Sequence, residues 1–238
     1  MERKNKLIIA IMIVGAIGIL AVAWGTFLGA PDLSQGDKKI LVLAVDPTEP
    51  RPGLGAVDMA FIIELKNGSI TKYTPIYPHG MRHPTEAEPS EAQAQGAGSK
   101  LLLHDSLWDQ DIPKGMQFAN EIVEANTGIK SDAVVAITTD GLDAVINSAG
   151  QIKVDGEEMN ISAIDLVREN DQLYGGNMSR GDAVMNLASA LSTAANDPGK
   201  RNAMVQAALD QYSKGRIIMI PEGSFVGLMA SKGLGSVL

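Results

Sequence analysis

The chain contains an apolar run, Lys39-Ile-Leu-Val-Leu-Ala-Val-Asp46, and a second one ten residues later, Val57-Asp-Met-Ala-Phe-Ile-Ile-Glu-Leu-Lys66. The first run is apolar without alternation, as expected of a strand that is covered on both faces of a sheet. Asn67-Gly68 follows the second run and leads into Ser69-Ile-Thr-Lys-Tyr-Thr74. Asn-Gly between two β-rich runs indicates a hairpin, because both turn residues need a positive φ. The sequence therefore predicts a buried central strand beside a β-hairpin.

A ten-residue loop joins the two runs and reads Pro47-Thr-Glu-Pro-Arg-Pro-Gly-Leu-Gly-Ala56. Prolines fix φ and glycines permit close backbone approach, so this loop is predicted to hold a defined shape. Its only arginine, Arg51, is framed by Asp46 at the end of one strand and Asp58 at the start of the next.

Composition limits the classes of function. The formal charge of the 238 residues is −8, and it is −10 without residues 1–30, which carry three basic residues and one acidic residue. A body this acidic argues against a nucleic-acid partner, since phosphate binding along a nucleic acid needs a basic patch. The chain has no cysteine, which excludes disulfides, thiolate metal sites and a cysteine nucleophile.

The N-terminal residues predict a membrane anchor. Residues 1–6 are a short basic tail, and residues 7–30 carry no charge. At 1.5 Å per residue that apolar segment is about 36 Å long, enough to cross a bilayer core. The positive-inside rule then places the tail in the cytoplasm and the body outside the plasma membrane. The alternative is a signal peptide cleaved after Ala21-Val-Ala23, although the apolar run continues to Ala30.

Beyond a linker at residues 31–38, residues 39–238 predict one α/β domain. Helix-period patterns and caps predict helices over Lys114–Asn126, Thr139–Ser148, Ser162–Arg168, Ser179–Ala195, Lys200–Lys214 and Glu222–Ser231. Apolar runs predict further strands at Ala133–Thr138 and Arg216–Ile220, and a small hairpin over residues 152–160. The Glu/Ala/Gln/Gly-rich segment Thr85–Ser99 predicts an irregular, mobile loop. This order of elements indicates a three-layer sandwich with a central mixed sheet flanked by helices.

The strand ends carry the residues best suited to chemistry. A guanidinium group can bind two phosphate oxygens at once, and carboxylates can bind the divalent cation that neutralises the same phosphate. Asp46, Arg51, Asp58 and Arg82 could therefore form a diphosphate site with Mg²⁺ or Mn²⁺ bound by the two aspartates. The alternative is a structural Asp–Arg pair that stiffens the loop. No phosphate-binding glycine loop or dinucleotide fingerprint is present, so no organic cofactor is predicted.

Two further groups of polar residues, aspartates and histidines, are candidate metal ligands. Asp105, Asp109 and Asp111 could bind a cation through oxygen atoms, but their spacing is also that of a solvated acidic loop. His79 and His83 have helical metal-ligand spacing, but the prolines around them argue against a helix, so zinc is not predicted.

Three motifs carry a resemblance to a known family. Glu49-Pro-Arg-Pro-Gly53 followed by Asn67-Gly68 resembles the "Glu-Leu-Arg-Pro-Thr-Gly-Gly" and "Asn-Gly-Lys" motifs of a membrane-anchored extracytoplasmic family of unknown function. The segment His104–Pro113 resembles that family's "Asp-Ala-Asn-Trp-x-x-Asp-Phe-Pro", and Gly150–Gly156 resembles its "Gly-x-Val-x-Val-Asp-Gly". This family is related to the LytR–CpsA–Psr proteins, which are signal-anchored enzymes that move glycopolymers from polyprenyl-diphosphate carriers onto the cell wall.

The resemblance implies a mixed sheet between helices and a role in handling a lipid-linked, phosphate-bearing glycan at the cell envelope. It implies Asp46 and Asp58 as catalytic and metal-binding residues, and Arg51, Arg82 and Arg201 as phosphate-binding residues. The implied partners are the membrane and a polyprenyl-phosphate-type lipid or envelope glycan. The family's "Pro-Arg-Asp" after the third strand is replaced here by Tyr77-Pro-His-Gly80. The alternative function is a non-catalytic surface scaffold that binds a glycan or protein.

Overall fold

A computed structural model describes residues 32–49, 51–150, 153–154, 157–158 and 180–233. The strands are β1 (Asp37–Asp46), β2 (Ala56–Lys66), β3 (Ser69–Ile76), β4 (Arg82–Ala87), β5 (Lys100–Leu102), β6 (Ala133–Thr138), β7 (Lys153–Val154), β8 (Glu157–Glu158) and β9 (Ile217–Ile220). The helices are α1 (Ser90–Ala94), α2 (Ile112–Thr127), α3 (Thr139–Ser148), α4 (Arg180–Ala194), α5 (Pro198–Ser213) and α6 (Ser224–Gly233).

Several predictions for the N-terminal part and the middle of the chain lie outside the described residues. These are the tail at residues 1–6, the anchor at residues 7–30, the first residue of the linker and the helix over Ser162–Arg168. Within the part of the chain that the structure describes, no helix is both long and apolar enough to cross a membrane.

The main sheet has five strands in the order β3-β2-β1-β6-β9. Strand β1 pairs with β6 in parallel and with β2 antiparallel, and β2–β3 and β6–β9 are also antiparallel pairs. Parallel and antiparallel pairs in one sheet confirm the predicted mixed sheet. The β2–β3 turn confirms the predicted hairpin, with φ of 49° at Asn67 and 71° at Gly68.

Apolar clusters cover both faces of this sheet. Leu41 and Leu43 of β1 pack with Met116 and Ile122 of α2 on one face. On the other face, alternate β1 residues pack with residues of α5 and α6. Because β1 contributes to both clusters, its apolar run needs no polar positions. The flanking helices make the predicted layers around the central sheet.

Local capping chemistry sets the ends of the helices that precede and follow β6. Helix α2 begins at the N-cap Asp111, whose carboxylate accepts from the Lys114 amide, and ends at Gly128 with φ of 72°. Helix α3 begins at Thr138, whose side chain accepts from the Gly141 amide. Both helices lie within two residues of their predicted bounds.

The prediction of an irregular segment over Thr85–Ser99 is wrong for residues 85–87 and 90–94, which form part of a strand and a helix. Strands β4 and β5 pair antiparallel, and helix α1 lies between them. Arg82 stabilises this segment, since its Nη1 donates to the Lys100 carbonyl (2.7 Å) and its Nη2 donates to the Ala97 carbonyl (2.9 Å). The structure of the segment is thus stabilised by Arg82, which lies outside it, and the composition of the segment alone does not indicate this.

Candidate functional site

Two loops form the base of the candidate site: residues 47–56 and, as the second loop, residues 103–111. Their backbones are hydrogen-bonded to each other. The Gly53 amide donates to the Trp108 carbonyl (2.7 Å), and the Val57 amide donates to the His104 carbonyl (2.9 Å). A Cβ on Gly53 would collide with the carbonyl oxygens of Leu107 and Asp109. The close approach of the loops therefore requires glycine at this position, and the predicted shape of the 47–56 loop depends on the second loop.

Arg51 and Asp105 form the buried ion pair of the site. The Nε and Nη2 atoms of Arg51 lie 3.1 Å and 3.0 Å from the same oxygen of Asp105, Oδ1. The guanidinium carbon also lies 4.7 Å from the ring centroid of Trp108, and Nη2 lies 3.4 Å from Glu49. The side chains are only 14% exposed for Arg51 and 6% for Asp105. A pair so removed from water is strongly coupled, since loss of either partner leaves a buried charge.

His104 shares the same carboxylate oxygen of Asp105. Its Nδ1 lies 3.2 Å from Oδ1 and donates to it, because an ionised carboxylate only accepts. This hydrogen bond raises the pKa of His104 above its usual value. Burial would raise the pKa of Asp105, but hydrogen bonds from His104, Glu88 and Arg51 outweigh it and lower that pKa to about 2. Asp105 is therefore an ionised hub that orients the imidazole and the guanidinium.

Glu88 is the second acid of this network, and it is 2% exposed. Its Oε2 accepts from the Leu102 amide (2.6 Å). Burial, followed by a hydrogen bond with Asp105, raises the pKa of Glu88 to about 7. Within the described residues no donor reaches its other oxygen, Oε1. A protonated Glu88 can thus donate to Asp105, with the proton on Glu88 and the charge on Asp105.

A possible metal-binding group lies beside this network. One side-chain ligand atom from each of Glu49, Asp58 and His104 lies within 4.8 Å of the other two. The bond from His104 Nδ1 to Asp105 directs Nε2 towards Glu49, whose Oε2 is 3.5 Å away. A histidine whose second nitrogen is bonded to a carboxylate is the usual arrangement of a metal-ligating histidine.

The residues predicted from sequence are brought together only in part. Asp58 and Arg82 line one cavity, and Arg51 lies on the 47–56 loop beside Asp105. Asp46 is buried at the end of β1, where its Oδ1 accepts from the amide (2.8 Å) and hydroxyl (2.7 Å) of Thr48. Arg201 lies on α5, a helix that packs on the opposite face of the sheet from α2.

The cavity has a volume of about 590 Å³. It lies between the end of the β2–β3 pair, the 77–82 segment and the α1–β5 loop. Its wall is mostly apolar, with polar side chains from Asp58, His79, Arg82 and His104. The cavity therefore has a mostly apolar wall that also carries charged side chains.

The three aspartates of the 101–111 segment do not form one site. Asp105 is buried against Arg51, Asp109 is exposed, and Asp111 caps α2. His83 has a structural role, because its Nε2 is 2.7 Å from Glu121 and its Nδ1 accepts from the amides of Thr85 and Glu86.

Sequence reasoning did not place Glu49, Glu88, His104 or Trp108 in the site, and it considered Asp105 only as a possible cation ligand together with Asp109 and Asp111. Three of these were within reach of a motif argument, since His104, Asp105 and Trp108 belong to a quoted segment that carries a family resemblance. Glu88 had no comparable signal, because the segment around it has the composition of a solvated loop.

Comparisons with known proteins agree with this fold. A family model described as protein of unknown function (DUF4012) matches residues 35–172. TagV of Bacillus subtilis has 18% sequence identity and a TM-score of 0.52, with 84% of this chain and 80% of that chain covered. A structure described as a transcriptional regulator from Enterococcus faecalis has 13% identity and a TM-score of 0.55, with 87% and 75% covered.

A LytR-Csp2A-Psr enzyme from Actinomyces oris has 15% identity and a TM-score of 0.53, with 88% of this chain and 80% of that chain covered. At these identities the structural similarity shows the fold alone. Comparison with curated proteins gives no match.

Proposed function

Because the chain belongs to the DUF4012 family of proteins of unknown function and shares its fold with a LytR-Csp2A-Psr enzyme, we propose a role in cell-envelope assembly. The protein is a single-pass, membrane-anchored domain that faces the outside of the plasma membrane. It binds a lipid-linked, phosphate-bearing glycan and transfers the glycan as a phosphotransferase. Residues 7–30 are the anchor, and their uncharged length supports this part of the proposal.

The observation that carries the proposal is the cavity of about 590 Å³ with Asp58, Arg82 and His104 in its wall. This volume is within the range of small-molecule sites, which are mostly apolar with a few convergent polar groups. An amphiphile could place its apolar chain against the apolar wall and its phosphate head beside the charged side chains.

A divalent cation completes the site for an anionic head group. The carboxylates of Asp58 and Glu49 would repel a phosphate, whereas a cation bound between them and His104 Nε2 would attract it. Imidazole nitrogen is a ligand for transition metals more than for Mg²⁺, so the mixed set favours Mn²⁺ over Mg²⁺. When bound, such an ion would polarise a phosphoryl oxygen.

Each residue has a stated role in the proposed transfer. An acceptor hydroxyl attacks a phosphorus of the carrier diphosphate, Asp58 takes the hydroxyl proton, and polyprenyl phosphate leaves. Arg82 and Arg51 place positive charge beside the phosphates. Asp46 positions the 47–56 loop through its two bonds to Thr48. Arg201 lies on the opposite face and is not part of the proposed site.

Asp58→Asn tests the proposal, since asparagine has the same shape and no charge. The full chain in detergent micelles is titrated with Mn²⁺, and then with a short-chain polyprenyl phosphate in Mn²⁺ or in EDTA. We expect the variant to lose Mn²⁺ binding and to bind the lipid at least about tenfold more weakly, a loss of about 1.4 kcal/mol. Asp109→Asn, an exposed aspartate of the neighbouring loop, is the matched control and should bind both normally.

Two results would overturn the proposal. One is equal affinity of Asp58→Asn and the unmodified chain for the polyprenyl phosphate. The other is equal affinity for that lipid in Mn²⁺ and in EDTA, since the head group would then bind without the cation.

A further inference from the structure

Strand β3 forms one edge of the main sheet, and the large exposed apolar side chains lie on or beside it. Among the described residues these are Ile70, 46% exposed, and Tyr77, 54% exposed. Ile70 lies near the start of β3, and Tyr77 comes directly after its last residue. Seven residue steps of extended chain place their Cα atoms about 23 Å apart. Thr71 is an extra residue in the pairing of β3 with β2 and shifts the alternation of β3 by one, so Ile70 and Tyr77 lie on the same side of the strand and can touch a flat surface together.

The segment that follows the predicted anchor is bonded to one end of this edge. The Asn67 amide donates to the Gly36 carbonyl (2.8 Å), and the Gly36 amide donates to Asn67 Oδ1 (2.9 Å). Six residue steps lead from Ala30, at the end of the uncharged segment, to Gly36. Fully extended, they span at most about 21 Å, so the β2–β3 turn stays close to the plane where the anchor leaves the bilayer.

Lysines surround the anchored end of the edge. A groove there is lined by Lys38, Lys39, Lys66 and Lys130, together with three acidic residues. Lys72, on β3 itself, has a side chain that is 63% exposed. In a chain of net charge −8, this is a local excess of basic residues over acidic ones. Lysines near a bilayer surface are attracted by its anionic head groups.

From these observations we propose that the β3 edge, from Lys66 to Tyr77, lies along a bilayer surface with anionic head groups. The proposal rests on the membrane anchor of the proposed function and adds an orientation to it. Because the anchor already holds the domain at the surface, a weak contact is sufficient to fix its orientation.

This orientation also determines where the cavity opens. Tyr77, Pro78 and His79 line both the far end of the β3 edge and the cavity. With β3 along the bilayer, the cavity opens at the level of the head groups, where a lipid-linked phosphate lies. With β3 upright on the anchored end, the nine residue steps of β1 would raise the cavity about 30 Å above the bilayer.

Site-specific labelling separates these orientations, since the chain has no cysteine of its own. Thr71→Cys and Tyr77→Cys place a fluorophore at the two ends of the edge, and Glu222→Cys places one after β9, the opposite edge of the sheet. The full chain is reconstituted into vesicles of phosphatidylcholine and phosphatidylglycerol that contain a lipid with a nitroxide head group. We expect at least about threefold stronger quenching at positions 71 and 77 than at position 222.

A charge variant tests the attraction. Lys66→Glu with Lys72→Glu should reduce quenching at both edge positions in anionic vesicles and have no effect in vesicles of phosphatidylcholine alone. Lys214→Glu, an exposed lysine at the end of α5, is the matched control.

The outcomes distinguish this inference from the function on which it rests. Failure of the chain to float with the vesicles would refute the anchor. Flotation with equal quenching at all three positions would refute the β3 contact alone. Quenching at position 71 without quenching at position 77 would show the upright orientation and also overturn this inference. Polyprenyl phosphate binding in detergent is independent of both results.

Discussion

Ion pairs in two regions of the molecule differ in their exposure to water. At the site, the Arg51 and Asp105 side chains are 14% and 6% exposed. Asp105 also bonds to His104, and Arg51 also lies against the ring of Trp108. At the β3 edge, Lys72 and Glu64 are 63% and 34% exposed, and Nζ and Oε1 are 3.3 Å apart. Water screens the second pair and hardly reaches the first. The difference predicts that the site charges are essential to the folded domain, whereas the edge charges remain available to a partner.

Asp105→Ala should have the largest effect on stability. Its removal leaves the Arg51 guanidinium buried without this carboxylate, while Glu49 remains 3.4 Å from Nη2. Breaking a buried ion pair by removing one partner costs about 3–5 kcal/mol. The free energy of unfolding can be measured by chemical denaturation in a Trp24→Phe background, in which Trp108 alone reports.

The control for this experiment is Asp109→Ala, an exposed aspartate four residues away. Surface substitutions of this kind change stability by about 0.5 kcal/mol or less. Equal effects of the two substitutions would contradict the distinction between a buried network and a solvated acidic loop.

Glu88→Gln should have a smaller effect that depends on pH. The pKa of Glu88 is 4.5 in the unfolded chain and about 7 in the folded one, so between these values the folded state binds the extra proton. Its contribution to stability is therefore present below pH 4.5 and is lost as the pH rises to 7, by at most about 1.4 kcal/mol per pH unit. Glutamine can donate to Asp105 as the protonated acid does, without titrating.

We thus expect Glu88→Gln to be more stable than the unmodified chain at pH 8, by on the order of 1–2 kcal/mol, and not at pH 5. The raised pKa of His104 acts in the same direction in both proteins, so the comparison isolates Glu88. Denaturation curves between pH 5 and pH 8 measure this, with exposed Glu86→Gln as the control. Parallel pH profiles for Glu88→Gln and the unmodified chain would show that Glu88 is ionised throughout.

The contrast between the regions also explains what could be predicted from sequence. The β2–β3 turn and the end of α2 were predictable because Asn67-Gly68 and Gly128 encode their own backbone conformations. The apolar run of β1 likewise encodes its burial on both faces. Each of these features depends on residues that are adjacent in the chain.

The partners within the site were not predictable in the same way. Arg51 forms a buried ion pair with Asp105, 54 residues away, although only its sequence neighbours Asp46 and Asp58 were expected beside it. Glu88 lies in a segment with the composition of a solvated loop and is buried because its carboxylate meets the Leu102 amide. Such pairings depend on how loops pack against each other, and no local pattern encodes that.

Lys72→Ala should have the smallest effect on stability. An exposed pair such as Lys72–Glu64 contributes about 0.2–1 kcal/mol, because water competes for both charges and the side chains lose rotamer freedom on pairing. Denaturation of this variant at low and high salt should give a loss of about 0.5 kcal/mol or less, and salt should reduce it further. A loss of stability as large as that of Asp105→Ala would show that the Lys72–Glu64 pair is essential to the folded domain. A small loss means that any change in membrane quenching caused by the Lys66→Glu and Lys72→Glu substitutions reports the surface contact and not unfolding.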